Sequence, residues 1–433
     1  MRIRKLFFSI LILFFQGSLM SATINEFEVN KHKITTIYEK GTLPIVNFQL
    51  VFQNSGSIAD GNKSGLASLS AAILNEGTKK LGSTGFANLL ESKAITIHTS
   101  NGFETFVIEI SCLKSEEDFA FEYLKMLLAD PNITQNSLDK LKNITISSLQ
   151  RKESDFDFVA KKELKKIIFK DTPLENTSSG TIESVESITL KDIQNFLDKT
   201  LTLSNLIVVA GGDIELDEVH SKLKPILSTL PIGYATSLKN INAKNTKEYK
   251  EIEKDTEQAY IYFGSPFYID SKDSNAYKAK VASFILGASG FGSRFLEEIR
   301  VKRGLAYSAY GYITINKSHS YFTGYLQTKL DNAKEAQELV KTLVSDFVKN
   351  GATEDELTHA KMFLMGSEPL RTETLSQRLG RAFTLYYRGL PLDYNEKELK
   401  LINKLTLKEL NDFIKSHSEI NDLSFAIVTN KGN

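Results

Sequence analysis

Cysteine occurs once in 433 residues, at Cys112, so the chain can hold neither an internal disulfide nor a cysteine-rich zinc module. An excess of one charge is missing too. Fifty-three basic side chains meet 53 acidic ones, which removes the electrostatic reason to expect nucleic acid or an acidic membrane surface as partner. Histidines are few, and the closest two of the six, His319 and His359, stand 40 residues apart (359 − 319). No pair is spaced to ligate a metal from one helix face. Isolated exposed or capping histidines are the expectation, with His359 on a helix surface. Past residue 22 no apolar run approaches the roughly 20 residues a bilayer span requires. What is present, 41% hydrophobic and 24% charged residues, is globular composition, with length for two or three domains of roughly 150 residues.

The N-terminus reads as a targeting segment. Met1 to Lys5 is basic, Leu6 to Phe15 is apolar, and small residues follow at Ser18, Ser21 and Ala22, the layout of a secretory signal peptide over 1–22. With Leu19 or Met20 at the −3 position the cleavage site is imperfect, and an uncleaved membrane anchor is the alternative. The reading is export to a periplasm, with a soluble mature chain and no stable membrane association after cleavage.

An internal repeat divides that mature chain. Ile188 to Leu197 matches Leu405 to Ile414 at all ten places, four of them identically, at an offset of 217 (405 − 188). Thr134, Leu138 and Lys142 recur as Thr353, Leu357 and Lys361 at an offset of 219 (353 − 134). Two pairs with nearly one offset imply a duplicated domain. The expected units are 23–230 and 251–433, joined by a linker over 231–250 that is rich in Asn, Lys and Thr. Val46, Phe48, Leu50 and Phe52 alternate with Asn47, Gln49 and Val51, the period of a strand with one buried face. Phe106, Ile108, Ile110 and Cys112 repeat it, making Cys112 a core thiol. Helical patterns lie between the strand patterns, among them Leu66 to Glu76, Gln135 to Gln150, Glu354 to Gly366 and Ser376 to Tyr387. The fold class is α/β of the α+β type: two homologous domains, each a mainly antiparallel sheet with helices packed mostly on one face.

Several segments resemble the pitrilysin/insulinase family, zinc peptidases with an inverted His-x-x-Glu-His motif. Gly56-Ser57 and the run Gly65-Leu-Ala-Ser-Leu-Ser-Ala-Ala-Ile-Leu-Asn-Glu-Gly-Thr78 are similar to its opening motif. The block from Gly292 through Arg300-Val-Lys-Arg-Gly-Leu-Ala-Tyr307 is similar to its second domain, as are Glu368-Pro-Leu-Arg-Thr-Glu-Thr374 and Tyr387-Arg-Gly-Leu-Pro-Leu-Asp-Tyr394. The likeness covers nearly the whole mature chain and implies two homologous α/β domains.

It also marks what the chain has lost. In active relatives two His ligands, four residues apart, flank a Glu base that deprotonates the zinc-bound water. Counted back from Gly77-Thr78, the two His places are held by Ser68 and Ala72, and the Glu place by Ala71. The family's third ligand, a Glu on a later helix, would fall at Ser147-Ser148. The same resemblance assigns Arg300 and Tyr307 to substrate: guanidinium donors fix peptide carbonyls, and a phenol can donate to a developing oxyanion. The competing structural reading gives Arg300 an ordinary salt bridge on a charged helix and packs Tyr307 in a strand.

The resemblance therefore implies a non-catalytic, peptide-binding subunit of a heterodimeric zinc peptidase. Such a chain would bind no cofactor itself; zinc would sit in a homologous partner, and a peptide or unstructured polypeptide would be enclosed between the two. A stand-alone peptide-binding or scaffold protein is a second reading, and an active peptidase with an unrecognised metal site a third. Two further motifs carry little. Ser111-Cys-Leu-Lys114 fits Ser-x-x-Lys but ends a strand, where Lys is not brought to Ser. Gly287, Gly290 and Gly292 make a glycine-rich turn without the surrounding sequence of a nucleotide site.

Overall fold

The structure is a computed structural model that describes residues 22–430; the expected signal peptide over 1–22 lies outside the described residues except for Ala22. The first sheet is built from β1 (Thr23–Val29), β2 (His32–Lys40), β3 (Ile45–Gln53), β4 (Thr96–Asn101), β5 (Thr105–Leu113) and β6 (Leu206–Gly212). Its order is β1-β2-β6-β3-β5-β4, antiparallel except where β2 runs parallel to β6. The second is built from β7 (Ile241–Asn242), β8 (Tyr249–Glu253), β9 (Gln258–Pro266), β10 (Ala306–Ile315), β11 (His319–Lys329) and β12 (Ser424–Thr429). Its order is β10-β11-β9-β12-β8, with β7 beside β11.

Read from the opposite edge, the second sheet repeats the first: a parallel pair (β8–β12 for β2–β6), then three antiparallel neighbours. The sequence repeats fall on matching helix starts. Thr134 and Thr353 cap the helices Gln135–Lys152 and Glu354–Gly366, and Thr189 and Thr406 cap Leu190–Thr200 and Leu407–Ser416. At the last three of these starts the residue three places on closes a capping box, satisfying backbone donors the helix leaves free. The α/β class of two mainly antiparallel sheets with flanking helices is as the patterning implies.

One face of each sheet makes the main core. Val46, Phe48, Leu50 and Phe52 are buried with Phe106, Ile108 and Ile110, and Phe48 stacks on Phe121 of the helix Glu117–Ala129 at 4.6 Å. Cys112 belongs to this core, and burial pushes its thiol up to about 11. In the second half Ile261, Phe263, Phe322 and Ile427 pack with Val340, Val344 and Phe347 of the helix Ala333–Asn350.

The second faces are covered by exchange. Helix 375–387, from the C-terminal half, lays Leu379 and Ala382 against Ile37, Val51, Ile207 and Val209 of the first sheet. Helix 156–168, from the N-terminal half, lays Val159, Ala160, Leu164 and Ile168 against Ala426 and Val428 of the second. The two helices are 219 residues apart (375 − 156), so they hold equivalent places in the repeat. Glycines admit both: a Cβ on Gly211 would stand 2.8 Å from Leu379 Cδ1, and one on Gly264 would stand 3.3 Å from Ile168 Cδ1. With both faces covered, every residue of β6 is buried.

Candidate functional site

The helix Leu66–Leu74 carries the degenerate motif against β4, an edge strand. Its start is tied down by Asp60, whose two carboxylate oxygens accept backbone N–H bonds from Gly65 at 2.8 Å and Ala67 at 2.7 Å. Burial pushes that carboxyl up from 3.8 to about 7, against the two hydrogen bonds that pull it down. Between about pH 4 and 7 the folded state thus holds a proton that the unfolded chain has released. Stability fully present below the unfolded value is lost as pH rises through the folded one. Relative to Asp60→Asn, the wild-type protein should lose up to about 1.4 kcal/mol per pH unit across that window. Urea titrations at pH 5 and pH 7 measure it, and parallel behaviour of the two proteins would refute it.

On this helix Ser68 Oγ donates to Asn101 Oδ1 of β4 at 3.1 Å, Ala71 is 3% exposed in the core, and Ala72 packs half-buried beside it. Helix 135–152, which carries Ser147 and Ser148, packs alongside, and Lys140 bonds Glu76 at 2.9 Å. Zinc is held by imidazole, thiolate or carboxylate. Two methyls and hydroxyls supply none of these, so the residues present do not fit the metal. Among the described residues no three His, Cys, Asp or Glu side chains gather as a metal site. Placing Ser68→His, Ala71→Glu and Ala72→His together should give no zinc-dependent peptidase, because Ser147 and Ser148 leave the third ligand missing. Chelator-sensitive cleavage of an unstructured peptide by the triple variant would show the third ligand to be elsewhere.

The histidines are less isolated than expected. His359 is exposed, but His220 stacks on Phe27 at 4.3 Å, His319 is buried against Phe103 and Phe169, and His417, at the C-cap of helix 407–416, stacks on Phe267 at 4.5 Å. Imidazole packs as a flat ring, which a spacing argument does not detect. The Ser111/Lys114 motif is dispersed, since Lys114 is held by Glu117 at 2.8 Å and Glu218 at 2.9 Å.

Arg300 and Tyr307 are brought together. Arg300 lies in a π-helical turn, Leu296–Val301, and Tyr307 lies on β10, an edge strand. Ala306 pairs with Thr328 but Ala309 with Leu326, so one extra residue is inserted at Tyr307 and Ser308. Such bulges re-aim side chains, and π-turns recur at functional sites. The guanidinium lies over the Tyr307 ring at 4.4 Å and over Phe291 at 5.1 Å. Tyr307 is 81% exposed and Phe291 75%. Arg300 has no ion pair among the described residues; Glu298 is taken by Lys302 and Arg303, each at 2.7 Å. The ordinary salt bridge that the competing reading gives Arg300 is therefore not formed. Sequence reasoning did not include Phe291, although an aromatic set between Gly290 and Gly292 in a turn has few ways to be buried.

Residues 36–182 match the family described as insulinase (peptidase family M16), and residues 187–364 match its companion, the peptidase M16 inactive domain. A Helicobacter pylori protein named non-peptidase homolog YmxG is 46% identical over 429 residues, covering 99% of each chain. The chain belongs to the insulinase family. Among solved M16 folds, an M16 inactive domain from Pseudomonas fluorescens superposes with a TM-score of 0.85 at 23% identity, covering 94% of this chain and 98% of that one. The Escherichia coli periplasmic protease PqqL superposes with a TM-score of 0.73 at 14% identity, and the match covers 94% of this chain but 48% of that one. In fold, this insulinase-family chain therefore corresponds to about half of the longer protease. Among the described residues no helix is long and apolar enough to cross a membrane.

Proposed function

We propose that this chain is the non-catalytic, peptide-binding subunit of a heterodimeric periplasmic zinc peptidase, exported by the 1–22 leader. Units 23–230 and 251–433, joined by the linker at 231–250, form one half of a chamber. A homologous chain with an intact His-x-x-Glu-His motif forms the other half and holds the zinc. The observation that carries the reading is the Arg300–Tyr307 pair: an exposed phenol against a half-buried guanidinium that no carboxylate among the described residues pairs with, set by a bulge and a π-turn, on a chain whose ligand places hold Ser68, Ala71 and Ala72. A guanidinium that fixes a peptide carbonyl and a phenol that meets an oxyanion need no metal of their own. Their contribution is positioning, which removes entropy from the barrier before chemistry begins. The likeness to half of a longer periplasmic protease supports a two-half arrangement. The name of the Helicobacter pylori relative supports the absence of peptidase activity in the chain alone.

Affinity purification from the native cell envelope tests this. The expected companion is a homologue with the intact zinc motif, present in equal amount and carrying about one zinc ion. Recovery of the chain alone, also after cross-linking, would favour the stand-alone binding protein. Stoichiometric zinc on the isolated chain would favour the active peptidase.

A further inference from the structure

A cavity of about 610 Å³ opens in the C-terminal half, between the helix Ala276–Ser283, the edge strand β10 and the helices 354–366, 375–387 and Tyr394–Lys404. That size suits a small organic ligand, for which pockets run from about 300 to 1,000 Å³. Its wall carries four cations, Lys280, Arg371, Arg381 and Arg388, against one carboxylate, Glu398. Two of the four are neutralised: Lys280 bonds Glu398 at 2.6 Å, and Arg381 bonds Glu368 just outside. Arg371 and Arg388 have no ion pair among the described residues, so the cavity holds two uncompensated guanidinium groups.

Two wall atoms are buried with nothing to bond, Arg388 Nε and Ser289 Oγ. A buried donor left unpaired destabilises the fold, so such atoms in one cavity need an explanation. Arg388 spends one nitrogen on the Ser271 carbonyl at 3.1 Å, and its Nε remains free to donate. The floor beside Ser289 is a second π-helical turn, Phe284–Ala288, a distortion common where a helix serves a ligand. Phe284, Tyr312 and Phe363 add aromatic rings to the same wall.

We propose that this cavity is a binding site for an organic oxyanion, a carboxylate or phosphate on an apolar or aromatic body. Arg388 and Arg371 take the oxygens, Ser289 adds a hydroxyl donor, and the rings take the body. A guanidinium matches the planar spacing of such oxygens, which an ammonium does not. The site is separate from the Arg300–Tyr307 pair and requires no partner chain.

Calorimetric titration of the full chain with three probes tests it: phenyl phosphate, N-acetylphenylalanine and N-acetylphenylalanine amide. At least one anionic probe should bind at least about tenfold more tightly than the neutral amide, the effect of one charge-assisted hydrogen bond. The preferred anion tells a phosphate ligand from a carboxylate one. Arg371→Gln, at an exposed position that leaves folding intact, and Arg388→Gln should each erase most of that margin, while Arg388→Lys should restore part of it. Raising salt to about 0.5 M should weaken the anion and spare the amide. No binding of either anion up to millimolar concentration, equal binding of the amide, or wild-type affinity in Arg371→Gln would overturn the proposal.

Discussion

In the proposed heterodimer, Tyr307→Phe should lower turnover per intact complex on the order of 10²-fold while leaving assembly unchanged. The substitution removes one hydroxyl from a ring that is 81% exposed, so nothing in the fold rests on it. That hydroxyl has no hydrogen-bond partner among the described residues, and the Arg300 guanidinium 4.4 Å from the ring centre favours negative charge nearby. Arg300→Ala should act differently. A contact made equally to bound peptide and transition state raises KM more than it lowers kcat. Loss of activity only in proportion to lost dimer would return both residues to a structural role. Wild-type turnover in both variants would mean that the pair is inherited without use, and the peptide-orienting role would be withdrawn.

Arg378→Ala should destabilise the chain by about 3 kcal/mol, the cost of stranding a buried charge. Arg378, on the exchanged helix 375–387, bonds Glu39 of β2 at 2.6 Å, and the Glu39 side chain is 1% exposed. The second Glu39 oxygen already lacks a partner, so little remains to hold the carboxylate once the guanidinium is gone. Replacing both ends, as Glu39→Gln with Arg378→Ala, should recover much of the loss, because the unpaired charge disappears with its partner. Equilibrium urea denaturation of the two single variants and the double variant gives the coupling. An additive double variant would show that the pair contributes no more than its packing.

Local signals were read well because they obey local physics. The helices expected from Gln135 and Glu354 are formed, and Thr134 and Thr353, read only as repeat positions, cap them; Thr189 and Thr406, from the other repeat pair, cap helices 190–200 and 407–416, since a hydroxyl there satisfies a backbone donor whatever the tertiary context. The alternation at Val46 to Phe52 gave the buried face of β3 for the same reason. Val51, apolar on the polar face, was the visible trace of helix 375–387, but one residue cannot say what covers it. The segment expected as a linker also supplies β7 and the first residues of β8, whose partners lie far along the chain. The replaced zinc places were legible because the motif is contiguous. The bulge at Tyr307 and the π-turns at 284–288 and 296–301 were not, since register against a neighbouring strand and packing under a cavity decide them.

The exchange of helices 156–168 and 375–387 sets an order for folding. The N-terminal sheet is complete once Gly212 has been made, yet its second face stays bare until Tyr387 follows, 175 residues later (387 − 212). Until then Ile37, Val51, Ile207 and Val209 stay open to water. An apolar surface left waiting that long is a place where nascent chains stick to one another. A chaperone holding the unfinished first half would therefore be released by the arrival of the last third of the chain, and a chain truncated near residue 300 would be a product that cannot shield itself.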